Sequence, residues 1–341
     1  MRHVLGVRLD NDGDVLLAGP AVRALAYGAD RVTLLCGPRG RRAAELLPGV
    51  DALVVWRAPW IDPEPDPVDR AGVEAIVDEL AGLRADAAVI FGSFHQSPLP
   101  TALLLRLAGV PRISAISVDY PGTLLDVRHR VEDEIHEVDR ALSLAEAAGH
   151  SLPPGDPGRL GVRVPTPPPE SLSEPYLVVH PGASVPARAW EPVRWAELVH
   201  ILSLRGRRVV VTGSSEEAGL TARVAAGGVG AIDLGGRLDF GELAAVLHGA
   251  DAVAVANTGP AHLAAAVGTP VASLFAPTVP ARRWRPWGVP HELLHQEVPC
   301  AGCRAKECPV PGHPCLAEVE PLAVAEALDR LVERRPPAVV A

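Results

Sequence analysis

The chain has 341 residues, 48% of them hydrophobic and 21% charged, with a net charge of -9. That length carries two cores of ordinary size, and the acidic balance argues against a nucleic-acid partner. No apolar run is long enough to span a membrane, and Met1 to Leu9, with Arg2 and Arg8 around a short apolar centre, reads as a first strand and not as a signal peptide.

Strand one is expected over Val4–Leu9. A turn follows at Asp10-Asn-Asp-Gly-Asp14, then a helix over Val15–Tyr27. Strands are expected near Arg31–Cys36, Leu53–Val55 and Ala87–Phe91, with helices at Arg41–Leu47, Val68–Leu83, Pro98–Ala108 and Val131–Ala148. Residues 1–150 thus alternate strand and helix, the pattern of a parallel sheet covered on both faces. Residues 151–175 hold the densest run of prolines in the chain, which reads as a linker.

A second alternating series occupies 176–320: strands at Tyr176–His180, Arg208–Thr212, Ala231–Leu234, Ala252–Ala256 and Val271–Phe275, with helices at Val193–Leu204, from Glu216, and at Phe240–His248. A terminal helix, Pro321–Arg334, begins the last segment, 321–341. The fold class is α/β, in two Rossmann-like doubly wound domains that face each other across a cleft. Ligands of such sheets bind beyond the carboxyl ends of the strands.

Four junctions could carry chemistry. After strand one, Gly13 permits a tight turn, and Asp14 falls where the helix dipole favours its ionised form. A carboxylate held so can accept a proton from a hydroxyl nucleophile, or simply cap the helix. After Tyr176–His180, the loop His180-Pro-Gly182-Ala-Ser184 leads to Arg188, whose guanidinium suits phosphate oxygens, or faces solvent beside a packed Trp190. After Arg208–Thr212 comes a glycine turn with Glu216 and Glu217, placed for ribose hydroxyls or for the first turn of a helix. At the fourth, Asn257-Thr258-Gly259-Pro260 joins a small-residue strand to a helix containing His262. A cap, a glycine and an N-terminal proline there present free N–H groups to a phosphate. The G-x-G-x-x-G fingerprint of nicotinamide enzymes is absent from these positions.

Gly13-Asp14-Val15, His180-Pro-Gly-Ala-Ser184, Thr212-Gly213 and, most specifically, Thr258-Gly-Pro-Ala-His-Leu-Ala-Ala-Ala266 with Gly268 and Pro270 resemble glycosyltransferase family 9, the heptosyltransferase-like group with the GT-B fold. The resemblance implies that Asp14 is the general base and that the second domain holds a nucleotide diphosphate sugar, of ADP or GDP type, with Thr258–Gly259 on its phosphates. It implies inverting transfer to a hydroxyl of a glycan or lipid-linked acceptor, with no cofactor for catalysis. The enzyme would be cytoplasmic, or peripheral at the inner face of the membrane. The chain departs from the family in having Arg188 where Lys is frequent and Asn257 where Asp is usual. An epimerase on the same fold, or a nucleotide-sugar-binding protein without turnover, are the alternatives. The loop from Ala276 to Thr278 leads to Arg282, Arg283 and Arg285, which could hold a diphosphate or form a solvated face.

Cys300, Cys303, Cys308 and Cys315 are bunched, and their spacing suits a structural zinc, with His313 and His295 as alternative ligands. Free thiols or a disulfide pair are the other readings.

Overall fold

The computed structural model describes residues 2–165, 167–169 and 172–334. The chain divides into two compact units, Met1–Arg163 and Val164–Ala341.

In the first unit the strands are β1 (His3–Arg8), β2 (Arg31–Cys36), β3 (Ala52–Val55), β4 (Ala87–Ile90), β5 (Ile113–Ile116) and β6 (Val127–His129). The helices are α1 (Asp12–Tyr27), α2 (Arg41–Leu46), α3 (Arg70–Leu83), α4 (Leu99–Leu107) and α5 (Glu137–Ala147). All strand pairs are parallel, in the order β3-β2-β1-β4-β5-β6. Side chains alternate across the sheet. Leu5 and Val7 of β1 join Leu35, Val54, Ala88, Ile90 and Ile113 against Ile76 and Leu80 of α3 and Leu105 of α4. Arg8 therefore falls on the other side of β1, with Val4 and Gly6.

The second unit repeats the plan. Its strands are β7 (Leu177–His180), β8 (Val209–Val211), β9 (Ile232–Asp233), β10 (Ala252–Ala256), β11 (Val271–Leu274) and β12 (His291–Leu294). Its helices are α6 (Pro192–Leu204), α7 (Ala218–Ala225), α8 (Phe240–Gly249), α9 (Gly259–Ala266), α10 (Ala281–Trp284), α11 (Pro314–Ala317) and α12 (Pro321–Glu333). The order β12-β11-β10-β7-β8-β9 is that of the first sheet, with β7 standing where β1 does. One face of β10 and β11 buries Ala252, Ala254, Ala272 and Leu274 against Trp195, Leu198 and Leu202 of α6 and Val324, Leu328 and Leu331 of α12. Trp190 meets Trp195 edge to face at 5.0 Å between ring centroids. Among the described residues no helix is long and apolar enough to cross a membrane.

Three strands escape the sequence reading: β5, β6 and β12, of three or four residues each. Val271–Leu274 is thus not the last strand of its sheet. Two further boundaries differ. Asp10–Asp14 is not all turn, because α1 starts at Asp12 with Asn11 as its cap, placing Asp14 inside the first turn. Helix α5 starts at Glu137 and not at Val131, because the His136 ring accepts from the Val138 N–H and caps it there. The proline-rich stretch is tied down in part: Arg23 grips Asp156 at 2.8 Å, and the Arg163 N–H donates to the Leu46 carbonyl.

Candidate functional site

In a doubly wound sheet the order reverses between the first strand and its fourth partner, and loops from the two carboxyl ends part there to leave room for a ligand. That point lies between β1 and β4 in the first unit and between β7 and β10 in the second. The candidate residues gather at these two points.

At the first, Arg8 ends β1 and Phe91 and Ser93 follow β4. The Arg8 Nη2 donates to Asp14 Oδ1 at 2.9 Å and to Ser93 Oγ at 2.8 Å, and its Nη1 donates to the Phe91 carbonyl at 3.1 Å. Nε lies 2.9 Å from Asp10 Oδ2, and Nη1 lies 3.7 Å from Glu137 Oε2. Burial alone would lower the pKa of Arg8, but Asp10, Asp14 and Glu137 together raise it. Burial pushes Asp10 and Glu137 up, with Arg8 opposing in both. Asp10 also accepts from the Gln96 amide. Asp12 is spent on structure: its Oδ2 takes Arg42 at 2.7 Å and its Oδ1 takes the Ala43 N–H at 3.1 Å, which fastens α2. Gly13 is buried within α1. The acids of this loop are thus divided among separate partners, and Asp14 keeps the greatest exposure of those around Arg8, 23% against 9% for Asp10 and 2% for Glu137.

At the second point, Thr258 is the N-cap of α9 and its side chain makes no bond to the first turn, while Pro260 occupies that turn. The Thr258 hydroxyl bonds back to the Ala256 carbonyl at 3.4 Å. The helix start therefore offers its N–H groups and positive dipole end without a side-chain partner. Arg188, half-buried at the end of a 3-10 turn, donates from Nη1 to the Asn257 carbonyl at 3.3 Å and so stands beside this helix start. Asn257 is buried; its Nδ2 donates to the Ala276 carbonyl at 3.4 Å, and its Oδ1 has no hydrogen-bond donor. The Nδ1 of buried His262 and the hydroxyl of buried Thr278 likewise lack partners. The two at the α9 start, Asn257 Oδ1 and His262 Nδ1, cost about 1–3 kcal/mol each, and each calls for an explanation. Burial, with Arg188 adding to it, drives the pKa of His262 down to about 4, so its ring is neutral near pH 7.

The other expected positions follow β7, β8 and β11. Thr212 is fully buried and bonds the His180 ring at 3.0 Å, which holds β7 to β8. Burial brings His180 down to about 4. Gly182 is buried against the Glu217 carboxylate, which a Cβ at 182 would strike. Ser184 and Glu216 are exposed, and Glu217, not Glu216, faces this turn. Arg283 lies over Trp284 at 5.9 Å and Arg285 over Trp287 at 5.8 Å, so the basic loop is stacked on its own tryptophans.

The cysteines do not assemble as expected for zinc. All five are free, and among the described residues no group of three or more His, Cys, Asp or Glu side chains is arranged to hold a metal ion. Cys315 is drawn into the core beside Leu316 and Val319, and burial raises its thiol to about 11. The Cys308 thiol donates to the Val310 carbonyl, and His313 Nε2 is engaged by the Ala187 carbonyl at 3.1 Å.

The sequence profile of glycosyltransferase family 9 (heptosyltransferase) matches residues 94–313, well over half of the chain. The chain belongs to glycosyltransferase family 9. The family 9 match contains the whole α9 site, while Asp14 and Arg8 lie outside it. The chain is 38% identical over 135 residues to lipopolysaccharide heptosyltransferase 1 of Pseudomonas aeruginosa, a match over 39% of this chain and 38% of that protein. It is 32% identical over 120 residues to lipopolysaccharide heptosyltransferase 3 of Escherichia coli, over 34% of this chain and 35% of that protein. These matches therefore span well under half the length of the curated relatives. Among solved structures, E. coli ADP-heptose lipopolysaccharide heptosyltransferase II superposes with a TM-score of 0.74 at 19% identity, covering 98% of this chain and 99% of that one. E. coli heptosyltransferase WaaC with ADP-2-deoxy-2-fluoro heptose gives 0.74 at 21% identity, over 96% and 99%. At these identities the likeness is one of fold: α/β, with the two-domain GT-B plan of family 9.

The sequence reading missed Arg8, Ser93 and Glu137. A lone cation closing an otherwise apolar buried strand is the signal that points to Arg8.

Proposed function

We propose that this family 9 protein is an inverting glycosyltransferase that moves a heptose-like sugar from an ADP-type donor to a hydroxyl of a lipopolysaccharide-core glycan. The observation that carries this reading is the open start of α9, flanked by Arg188 and by the unpartnered Asn257 Oδ1 and His262 Nδ1. A pyrophosphate suits that site: the N–H groups and dipole of α9 take its oxygens, and Arg188 adds a charged fork. Gly182, Thr258, Gly259 and Pro260 shape the loops that line it. The relatives of this chain include a lipopolysaccharide heptosyltransferase, and its solved neighbours a heptosyltransferase with ADP and with ADP-2-deoxy-2-fluoro heptose, which supports the choice of donor and acceptor.

In the proposed reaction, Asp14 takes the proton of the acceptor hydroxyl as its oxygen attacks the anomeric carbon. The bond from that carbon to the diphosphate breaks, and the configuration inverts. The charge that develops on the departing ADP is met by α9 and Arg188. A lipid-linked acceptor brings the protein to the inner face of the membrane as a peripheral enzyme.

Thermal-shift titration of ADP, GDP and UDP against the wild type and Asp14→Ala, followed by a transfer assay with ADP-heptose, tests this. ADP at 100 times its Kd stabilises the folded state by about 2.7 kcal/mol, and it does so in both proteins. Transfer in Asp14→Ala falls by roughly 10²- to 10⁴-fold. No stabilisation by any nucleotide, or full turnover in the variant, defeats the proposal.

A further inference from the structure

Arg8 has more to do than balance charge. Its side chain is 3% exposed; Nη1 donates to the Phe91 carbonyl, Nη2 donates to the Ser93 hydroxyl and Asp14, and the Asp10 and Glu137 carboxylates lie within ion-pair distance. The Phe91 carbonyl and Ser93 follow β4, Asp14 rides on α1, and Glu137 begins α5. Three elements thus converge on one planar group carried by a fourth, β1, and none of them can change its geometry alone. Of the three carboxylates only Asp14 is open enough for a substrate to reach, and Arg8 occupies one of its two oxygens. Buried ion clusters are poor sources of stability, because desolvation offsets most of the attraction. Retaining a buried arginine, hydrogen-bonded through Nη1 and Nη2, beneath an accessible acid therefore calls for a reason other than folding.

We propose that Arg8 is a positioning residue for Asp14: it fixes the carboxylate through Oδ1 and leaves Oδ2 directed at the acceptor hydroxyl. Asp10 and Glu137 share its charge, so that the cation steers the base without quenching it. The charged groups facing this centre are Asp10 beside His95, Asp14 on α1, and Glu137 with Arg140 on α5. The inference rests on the reading of Asp14 as general base.

Arg8→Lys, Arg8→Gln and Ser93→Ala separate geometry from charge. Transfer from ADP-heptose to heptose-deficient lipopolysaccharide core is followed across pH, with ADP thermal shifts as a check on the second unit. Lysine keeps the charge but has no planar fork, so kcat falls roughly 10- to 100-fold while KM for ADP-heptose holds. Glutamine removes the charge as well as the fork, so kcat falls further than in the lysine variant while KM for ADP-heptose holds. Ser93→Ala, which loosens Arg8 without unpairing a charge, lowers kcat by about threefold to tenfold. Wild-type kcat in Arg8→Lys overturns the proposal. So does equal loss in Lys and Gln, or a KM for ADP-heptose that rises as kcat falls, either of which marks a structural role. If Arg8→Gln does not fold, the other two variants decide. A wild type that binds ADP but transfers nothing overturns the general-base reading and this inference together, whereas transfer abolished by Asp14→Ala but untouched by Arg8→Lys overturns the inference alone.

Discussion

At the scale of single residues, the second unit carries two imidazoles that burial holds neutral, His180 and His262. In the unfolded chain each takes up a proton near pH 6.5; in the folded chain only near pH 4. Between those values the unfolded state binds more protons, so these residues cost stability as the pH falls from about 6.5 to about 4 and contribute no pH dependence above it. Burial raises Asp10, Asp12 and Glu137, which bend the curve the other way but are common to wild type and variant. The expected outcome is that His262→Gln loses less Tm than the wild type between pH 7.5 and about pH 4.5, as read by calorimetry. Equal losses would remove the buried imidazole from the account. The sequence made His262 visible as a polar residue early in a helix, but it could not choose between Glu216 and Glu217. The spacing left Glu216 and Glu217 equal; a 3-10 turn over Ser215–Glu217 turns Glu216 outward and sets Glu217 against Gly182.

Among elements, α9 and α8 make an instructive pair. Helix α8 is closed by a capping box, in which Asp239 accepts from the Glu242 N–H and Glu242 accepts from the Asp239 N–H, both at 2.7 Å. Helix α9, one strand later, has a threonine cap whose side chain makes no such bond. One helix start is thus built for stability and the other is left for a ligand. Asp239→Ala should cost about 1 kcal/mol in urea unfolding with ADP binding unchanged. Thr258→Ala should change stability little and weaken ADP binding by about threefold or more, through loss of one hydroxyl contact. The reverse pattern would remove the functional distinction between the two caps. The long periodic segments were legible because each presents one apolar face. Strands β6 and β12 were not, since they are short and only half-buried, leaving no clean alternation to read.

Over the whole molecule, the same strand order occurs twice, and each unit places its candidate residues where that order reverses. The duplication was readable in the sequence as two alternating series, because strand–helix alternation leaves a coarse signal that survives local errors. What was not readable was the role of Arg8, because its partners lie 83 and 129 residues away for Phe91 and Glu137, and only the folded sheet brings them together. Division of the two tasks between units predicts separable defects. Arg188→Ala should weaken ADP binding by roughly 10-fold or more by calorimetric titration, as expected for a lost charged hydrogen bond, while Asp14→Ala leaves that affinity intact. Weakened ADP binding in Asp14→Ala would contradict the division.

Helix α12 supplies Val324, Leu328 and Leu331 to the face of β10 and β11. Of the described elements it is also the last to be synthesised. At roughly 5–20 residues per second, β7, β8, β10 and β11 therefore wait for seconds on the ribosome with one apolar face of their sheet incomplete. The first unit has all its strands and helices in hand before β7 is made. The unit proposed to carry the donor nucleotide therefore closes that apolar face only once α12 has emerged.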